Sequence, residues 1–369
     1  MQTELPNELK DYISAILGMK QPYELSPKDV NEEESKVHQE EDSSSQLLNL
    51  LFQADSLWNL GESAKSQEIV TSCLQKLSRL PQDQQQHNKS DDTTIMIHQS
   101  FADGLQSLNS GNLTEALSSF RQAASVAHNN NSSLLKAFFT ERAVNIAFWM
   151  ACTGSMLDAA KLLEDNIQDT PFCGGVVSFA YHMSGDSIVA ESIARKAIES
   201  GMDDPWTIHA VAHALTSQDR HGECAEWLIL HRSKAEDCNP FMKGHMEFHL
   251  ALSYLYVKDE PKLKDLIHGS LWGTMSEEMK ADYWNAAGLL NVLWKAEIRG
   301  VISNPTIEYS AFITEAMEKI ETAFDGEANV GKSSVFSLCI FRFTEGPMRE
   351  KWKKALKPYC WKTAAQTRF

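Results

Sequence analysis

Long apolar runs are missing from this chain. No stretch of its 369 residues approaches the roughly eighteen consecutive apolar residues of a membrane-crossing helix, so no helical span is expected. Basic charge is also short: 34 Lys and Arg stand against 50 Asp and Glu, a net charge of −16. Nucleic-acid binding needs basic patches that release counterions, so no such partner is expected. Only MREKWKKALKPYCWKTAAQTRF, Met348 to Phe369, runs the other way, with seven basic residues against the single acid Glu350 and with Trp352 and Trp361 interleaved. It reads as a solvated last helix, or as a dock for an acidic partner or anionic surface. Cysteine is sparse and unpatterned. Cys73, Cys152, Cys173, Cys224, Cys238, Cys339 and Cys360 show no C-x-x-C spacing, which predicts free thiols in a reducing compartment rather than a disulfide framework or a zinc ribbon. The opening MQTELPNELKDYISAILGMK has neither the basic start nor the apolar stretch of a signal peptide. A cytosolic protein is predicted.

Alternation of β-branched residues is nearly absent, while apolar residues recur at three and four positions and proline is sparse inside the segments. The chain therefore reads as all-α. Two polar stretches, Asp29 to Gln46 and Leu80 to Thr94, are expected to be linkers or mobile loops. The expected organisation is an acidic, partly helical or mobile segment over 1–46, a repeat array over 47–300, and a helical cap with the basic tail over 301–369.

The helices repeat. A tetratricopeptide-type hairpin wants a small residue on its first helix, Gly at the turn seven positions later, a small residue five beyond, then an apolar and another small residue. Gly104, Gly111, Ala116, Phe120 and Ala123 fit that pattern, as do Ser178, Gly185, Ala190, Ala194 and Ala197. Ala147, Gly154, Ala159 and Leu163 form another copy, and Ala54 with Gly61 a weaker one. The turn glycines are spaced from about 31 to about 50 residues apart, so insertions interrupt the array. An α-solenoid of degenerate tetratricopeptide-like helical hairpins is predicted.

Twelve histidines are few for this length, yet WTIHAVAH and GHMEFH hold two His-x-x-x-His pairs. With Ala212 and Ala251 as the small first-helix residues, His209 and His213 take positions five and nine of one repeat, and His245 and His249 positions two and six of the next. These positions line the concave surface in repeats of this kind. His182 takes position twelve of the preceding repeat. Pairs four apart lie side by side on a helix and reach one ion, and neutral imidazole also suits proton transfer near pH 7. Satisfied core histidines are the plain structural alternative. The H-E-x-x-H order of zinc peptidases is absent, because HAVAH has no acid and Glu247 falls one place late in HMEFH. Trp206, Thr216 and Glu247 are further candidates for ligand binding. Asp282, Tyr283 and Asn285 are candidates to close the groove.

GEANVGKSS, with Gly326, Gly331, Lys332 and Ser333, matches the phosphate-loop pattern. A phosphate loop follows a buried strand, whereas the preceding FITEAMEKIETAFD is charged with a helical period, so an interhelical loop without ATP is expected. No nucleophile-elbow G-x-S-x-G or Cys/His signature is present. Trp206, Trp227, Trp272, Trp284 and Trp294 are expected to pack between repeats.

The segments GGVVSFAYHMSGDSIVAESIARKAIESGMDDPWTIHAVAHALTSQDRHGECAEWL, GHMEFHLALSYL and DYWNAAGLLNVLWKAEIRG resemble the tetratricopeptide repeat protein 38 family, over roughly residues 95–300. W-x-x-H-A-V-A-H and H-x-x-x-H-L-A-L are the most specific parts. The resemblance implies a soluble α-solenoid, marks His209, His213, His245 and His249, and brings no established activity. The chain departs from the family at Thr216, where an acid is usual, and at Glu247 and Phe248, where aromatics precede the last His. Its AAGLLNVLWKAE also differs from the usual Asp followed by Leu-Leu-Trp-Arg.

The expected function is a cytosolic repeat protein whose His-rich groove binds a peptide segment or a small molecule. The alternative is an enzyme using the same histidines on a small substrate, as ligands of a divalent transition metal or as general acid and base.

Overall fold

The computed structural model describes residues 10, 13, 43–59, 62–79, 89–129, 132–168, 170–236, 238 and 240–271, with scattered positions between 290 and 314. The described elements are helices, without a β-strand among them. They fall into two compact units, Met1–Ala214 and Leu215–Phe369.

The first unit holds α1 (Ser43–Asn59), α2 (Ser63–Ser78), α3 (Lys89–Asn109), α4 (Leu113–Asn129), α5 (Ser133–Trp149), α6 (Thr153–Ala160), α7 (Cys173–Met183) and α8 (Ser187–Glu199). Helix α9 (Pro205–Ser217) contains the division, so its last residues belong to the second unit. That unit continues with α10 (His221–Leu230), α11 (Pro240–Val257), α12 (Glu260–Leu266) and a π-turn, Ile267–Leu271. Both polar stretches expected as linkers end in helix, since α1 begins at Ser43 and α3 at Lys89.

Helices pack as consecutive pairs: α1 on α2, α3 on α4, α5 on α6, α7 on α8 in the first unit, and α11 on α12 in the second, where α10 also meets α11. Within the first unit α2 also meets α3, α4 meets α5 and α6 meets α7, and α1 reaches α3 as α5 reaches α7. This is the stacking of tetratricopeptide-type hairpins, in which each pair buries its apolar face against its neighbours. The fold is an all-α array of such hairpins.

Helix α4 shows why the pairs form. Ala116, Phe120, Ala123 and Ala127 recur at helical spacing and are fully buried, leaving one apolar stripe to cover. Opposite Phe120 a side chain on Gly104 would start 2.8 Å from the ring, so only glycine lets the two helices cross there. Phe52, Phe101, Phe138 and Phe139, from α1, α3 and α5, join edge to face at 5.0 to 5.7 Å between centroids, a geometry worth about 0.5–1.5 kcal/mol per pair beyond area burial. A buried ion pair, Arg142 Nη2 to Asp55 Oδ2 at 2.6 Å, ties α5 to α1.

Left-handed residues mark the turns between paired helices: Gly111, Ala151, Gly185, Asp219 and Lys258, with φ of 75°, 55°, 94°, 57° and 60°. They follow one another at 40, 34, 34 and 39 residues, close to the 34-residue tetratricopeptide period. The expected register holds at Gly111 and Gly185, and Asp219 and Lys258 stand seven residues after Ala212 and Ala251. It shifts by three residues in the copy between them. Ala151 makes that turn and Gly154 lies inside α6, so the apparent 31-residue spacing comes from a glycine that is not at the turn. Ala147, Ala159 and Leu163 are nonetheless buried, because a position three removed stays on the same helix face.

Asp282, Tyr283, Asn285, Trp272, Trp284, Trp294, Gly61, the glycine-rich loop from Gly326 to Ser333 and the basic tail lie outside the described residues.

Candidate functional site

Helix α9 is set by its first turn. Asp204 accepts hydrogen bonds from Thr207 N at 2.9 Å, Thr207 Oγ1 at 2.7 Å and Phe172 N at 3.2 Å. The first two cap the helix. The third steadies Phe172, whose φ of 69° is costly for a bulky residue. Burial pushes the Asp204 carboxyl up, and these bonds oppose that. Pro205 at the first helical position has no N–H to satisfy.

From that start Trp206, His209 and His213 follow along α9. His209 is buried and His213 half-buried, and their rings meet at 4.4 Å, nearly perpendicular at 84°. The Trp206 ring lies 5.1 Å from His209. Phe179 of α7 stands among them, 5.3 Å from Trp206, 6.4 Å from His209 and 5.5 Å from His213. His182, one turn further along α7, is 5.0 Å from His213, and its Nδ1 is 3.2 Å from Ser187 Oγ. Burial lowers the pKa of His182.

On α11, His249 is buried and His245 half-buried. Their Nε2 atoms are 3.2 Å apart, with rings at 4.7 Å and 79°. Two ligands about 2.05 Å from a tetrahedral zinc are separated by about 3.3 Å. The pair therefore already has the spacing of one edge of such a site. Burial pushes His245 down to about 4, which keeps the ring neutral and able to coordinate at pH 7.

The ligand nitrogens of His209 and His213 on α9 lie within 4.8 Å of each other, as do those of His245 and His249 on α11. No thiolate or carboxylate is grouped with these histidines among the described residues. Neutral nitrogen donors suit zinc, copper, iron or nickel.

Glu247 is engaged elsewhere. It accepts from Arg232 Nε and Nη2, both at 2.9 Å, and from Ser270 Oγ at 2.6 Å. This network ties α11 to the turn at Arg232 and to the π-turn. Thr216 faces α10, with Oγ1 3.6 Å from Cys224 Sγ. Phe179 and Asp204 were not foreseen. Position nine of the repeat built on Ser178 is a signal for Phe179, and Asp204-Pro205 ahead of an apolar stretch reads as a helix cap followed by its first residue.

Comparison with known families and with curated proteins finds no match. Among solved structures, a Rap protein complexed with competence and sporulation factor is similar at 11% identity and a TM-score of 0.42, covering 87% of this chain and 99% of that one. Function is accordingly read from this chain's own residues.

Proposed function

We propose that this tetratricopeptide-like protein binds a divalent transition metal through its His-x-x-x-His pairs, His209 with His213 and His245 with His249, and uses it to hold a small molecule or a peptide segment in the cytosol. The observation that carries the proposal is the pair of Nε2 atoms 3.2 Å apart on α11. The His209 and His213 rings, 4.4 Å apart on α9, support it, as does the resemblance to the tetratricopeptide repeat protein 38 family, whose motifs mark the same four histidines. The enzymatic reading draws support from the half-buried His213 and His245, since a catalytic metal needs a coordination position that substrate can reach.

Elemental analysis tests this directly. Purified protein, reconstituted with zinc, copper, nickel or cobalt and then desalted, should retain bound metal. His209→Ala/His213→Ala and His245→Ala/His249→Ala should each lower the amount retained, with helical circular dichroism kept in both. No retained metal in the wild-type chain, or full retention in both double variants, would refute the proposal.

A further inference from the structure

Glu141 of α5 carries a polar group that the packing of the first unit leaves incomplete. The residue is 7% exposed, and its Oε2 is buried with no hydrogen-bond partner. Burying a carboxylate oxygen without a donor is costly. The other oxygen, Oε1, accepts from Asn145 Nδ2, one turn further along the helix. The adjacent Arg142 guanidinium donates to Asp55 of α1, whose Oδ2 also accepts from Asn59 Nδ2 at 3.1 Å. Burial pushes the Glu141 carboxyl up, with Arg142 opposing the rise and Asp55 adding to it. Two buried carboxyls thus lie beside this guanidinium, and ionising both leaves the trio one positive charge short.

The neighbours of Glu141 say what kind of cation would complete it. Helices α1 and α5 belong to the same unit and run the same way, since Phe52 meets Phe138, Asp55 meets Arg142 and Trp58 meets Trp149. Along α5 the buried Phe138 is followed by Glu141, then by the half-buried Asn145 and Trp149, whose ring is 5.9 Å from that of Trp58. Aromatic faces attract cations and accept apolar stems. Only one Glu141 oxygen is open, which suits a compact ammonium better than a guanidinium, whose fork matches both oxygens of a carboxylate. Asn145 stands about 6 Å along the helix from Glu141, a distance comparable with the four-carbon stem of lysine. We propose that Glu141 receives the ammonium group of an alkylamine, with Oε2 accepting its hydrogen bond and the stem lying along α5 past Asn145 toward Trp149. A lysine side chain of a peptide and a free alkylamine both offer that chemistry, and a net charge of −16 draws either one.

Calorimetric titration of the full-length chain at about pH 7.5, where an alkylamine is charged, tests this. n-Butylammonium should bind saturably, and n-butanol, a similar stem without the charge, should not. A Gly-Lys-Gly peptide with both ends blocked, and its norleucine counterpart, then separate the two sources. Tighter binding of the lysine peptide than of butylammonium, with none of the norleucine peptide, assigns a peptide side chain. Equal, weaker or no binding of the lysine peptide assigns a free amine. E141Q keeps the shape of the side chain without its charge and should bind butylammonium at least about tenfold more weakly, as expected for one lost hydrogen bond to a charged group. Unchanged affinity in E141Q overturns the proposal, as does the absence of saturable binding by either amine, or equal binding of the uncharged controls. Should E141Q not fold, an alkylamine bearing a diazirine still decides on the wild type: irradiation should attach it within α1 or α5, and attachment only elsewhere overturns the proposal.

Discussion

His245 shows how much one half-buried imidazole shapes the site's behaviour. Its pKa in the folded chain is about 4, against an ordinary 6.5, because burial disfavours the charged ring. The folded state thus binds this proton less readily than the unfolded state. Its contribution is fully present above about pH 6.5, declines as the pH falls, and is gone below about 4, a loss of at most about 3 kcal/mol. Urea unfolding of the metal-free protein should therefore show stability falling between pH 6.5 and pH 4, and His245→Gln should flatten that decline. An equally steep decline in the variant would mean that other groups carry it. The sequence made the four histidines legible because repeat position is periodic and each falls at a fixed place in the period. It could not assign Glu247, which lies between His245 and His249 on the same helix. Its role is decided by Arg232 and Ser270, which are 15 residues before it and 23 after it, and no local pattern reports such a partner.

Among the elements, the turn between α5 and α6 gives the sharpest separation between motif and structure. A glycine at a tetratricopeptide turn is useful because it adopts a positive φ without steric cost. Here Ala151 carries the positive φ of 55°, while Gly154 sits in α6 with nothing within 4 Å of where a side chain would begin. Glycine inside a helix costs about 0.5–1 kcal/mol relative to alanine, and alanine at positive φ is strained. Ala151→Gly and Gly154→Ala should therefore each stabilise the protein, by roughly 0.5–1 kcal/mol, as measured by denaturant midpoint. Were Gly154 the turn residue, its replacement by alanine would destabilise, so the sign of that change decides the register. The same case explains which part of the fold was legible. Small and apolar residues at three- and four-residue spacing fix a helix and its buried face, so the all-α hairpin array could be read directly. The turn position within a hairpin depends on one backbone angle, which alanine, aspartate and lysine also adopt here, at Ala151, Asp219 and Lys258.

For the whole molecule, the question is whether the metal would be structural or added to a finished fold. Small zinc domains are unfolded without metal because they lack a core. This chain has one: Phe52, Phe101, Phe120, Phe138 and Phe139 are buried, and the stripes of small residues along α4 and α8 pack without help from the histidines. Metal removal should leave the helical circular dichroism intact. A ligand that binds only the folded state still adds stability, about 2.7 kcal/mol when its free concentration is a hundred times its dissociation constant. For a cooperative unit of 150–250 residues each kcal/mol is worth roughly 2–4 °C. Saturating zinc should accordingly raise the thermal midpoint by about 5–10 °C in the wild-type chain. It should leave the midpoint unchanged when all four histidines are replaced by alanine, with both proteins equally helical beforehand. An equal rise in the two would place the zinc on the general acidic surface, where a net charge of −16 attracts cations without a built site, and would remove the metal from the proposed function.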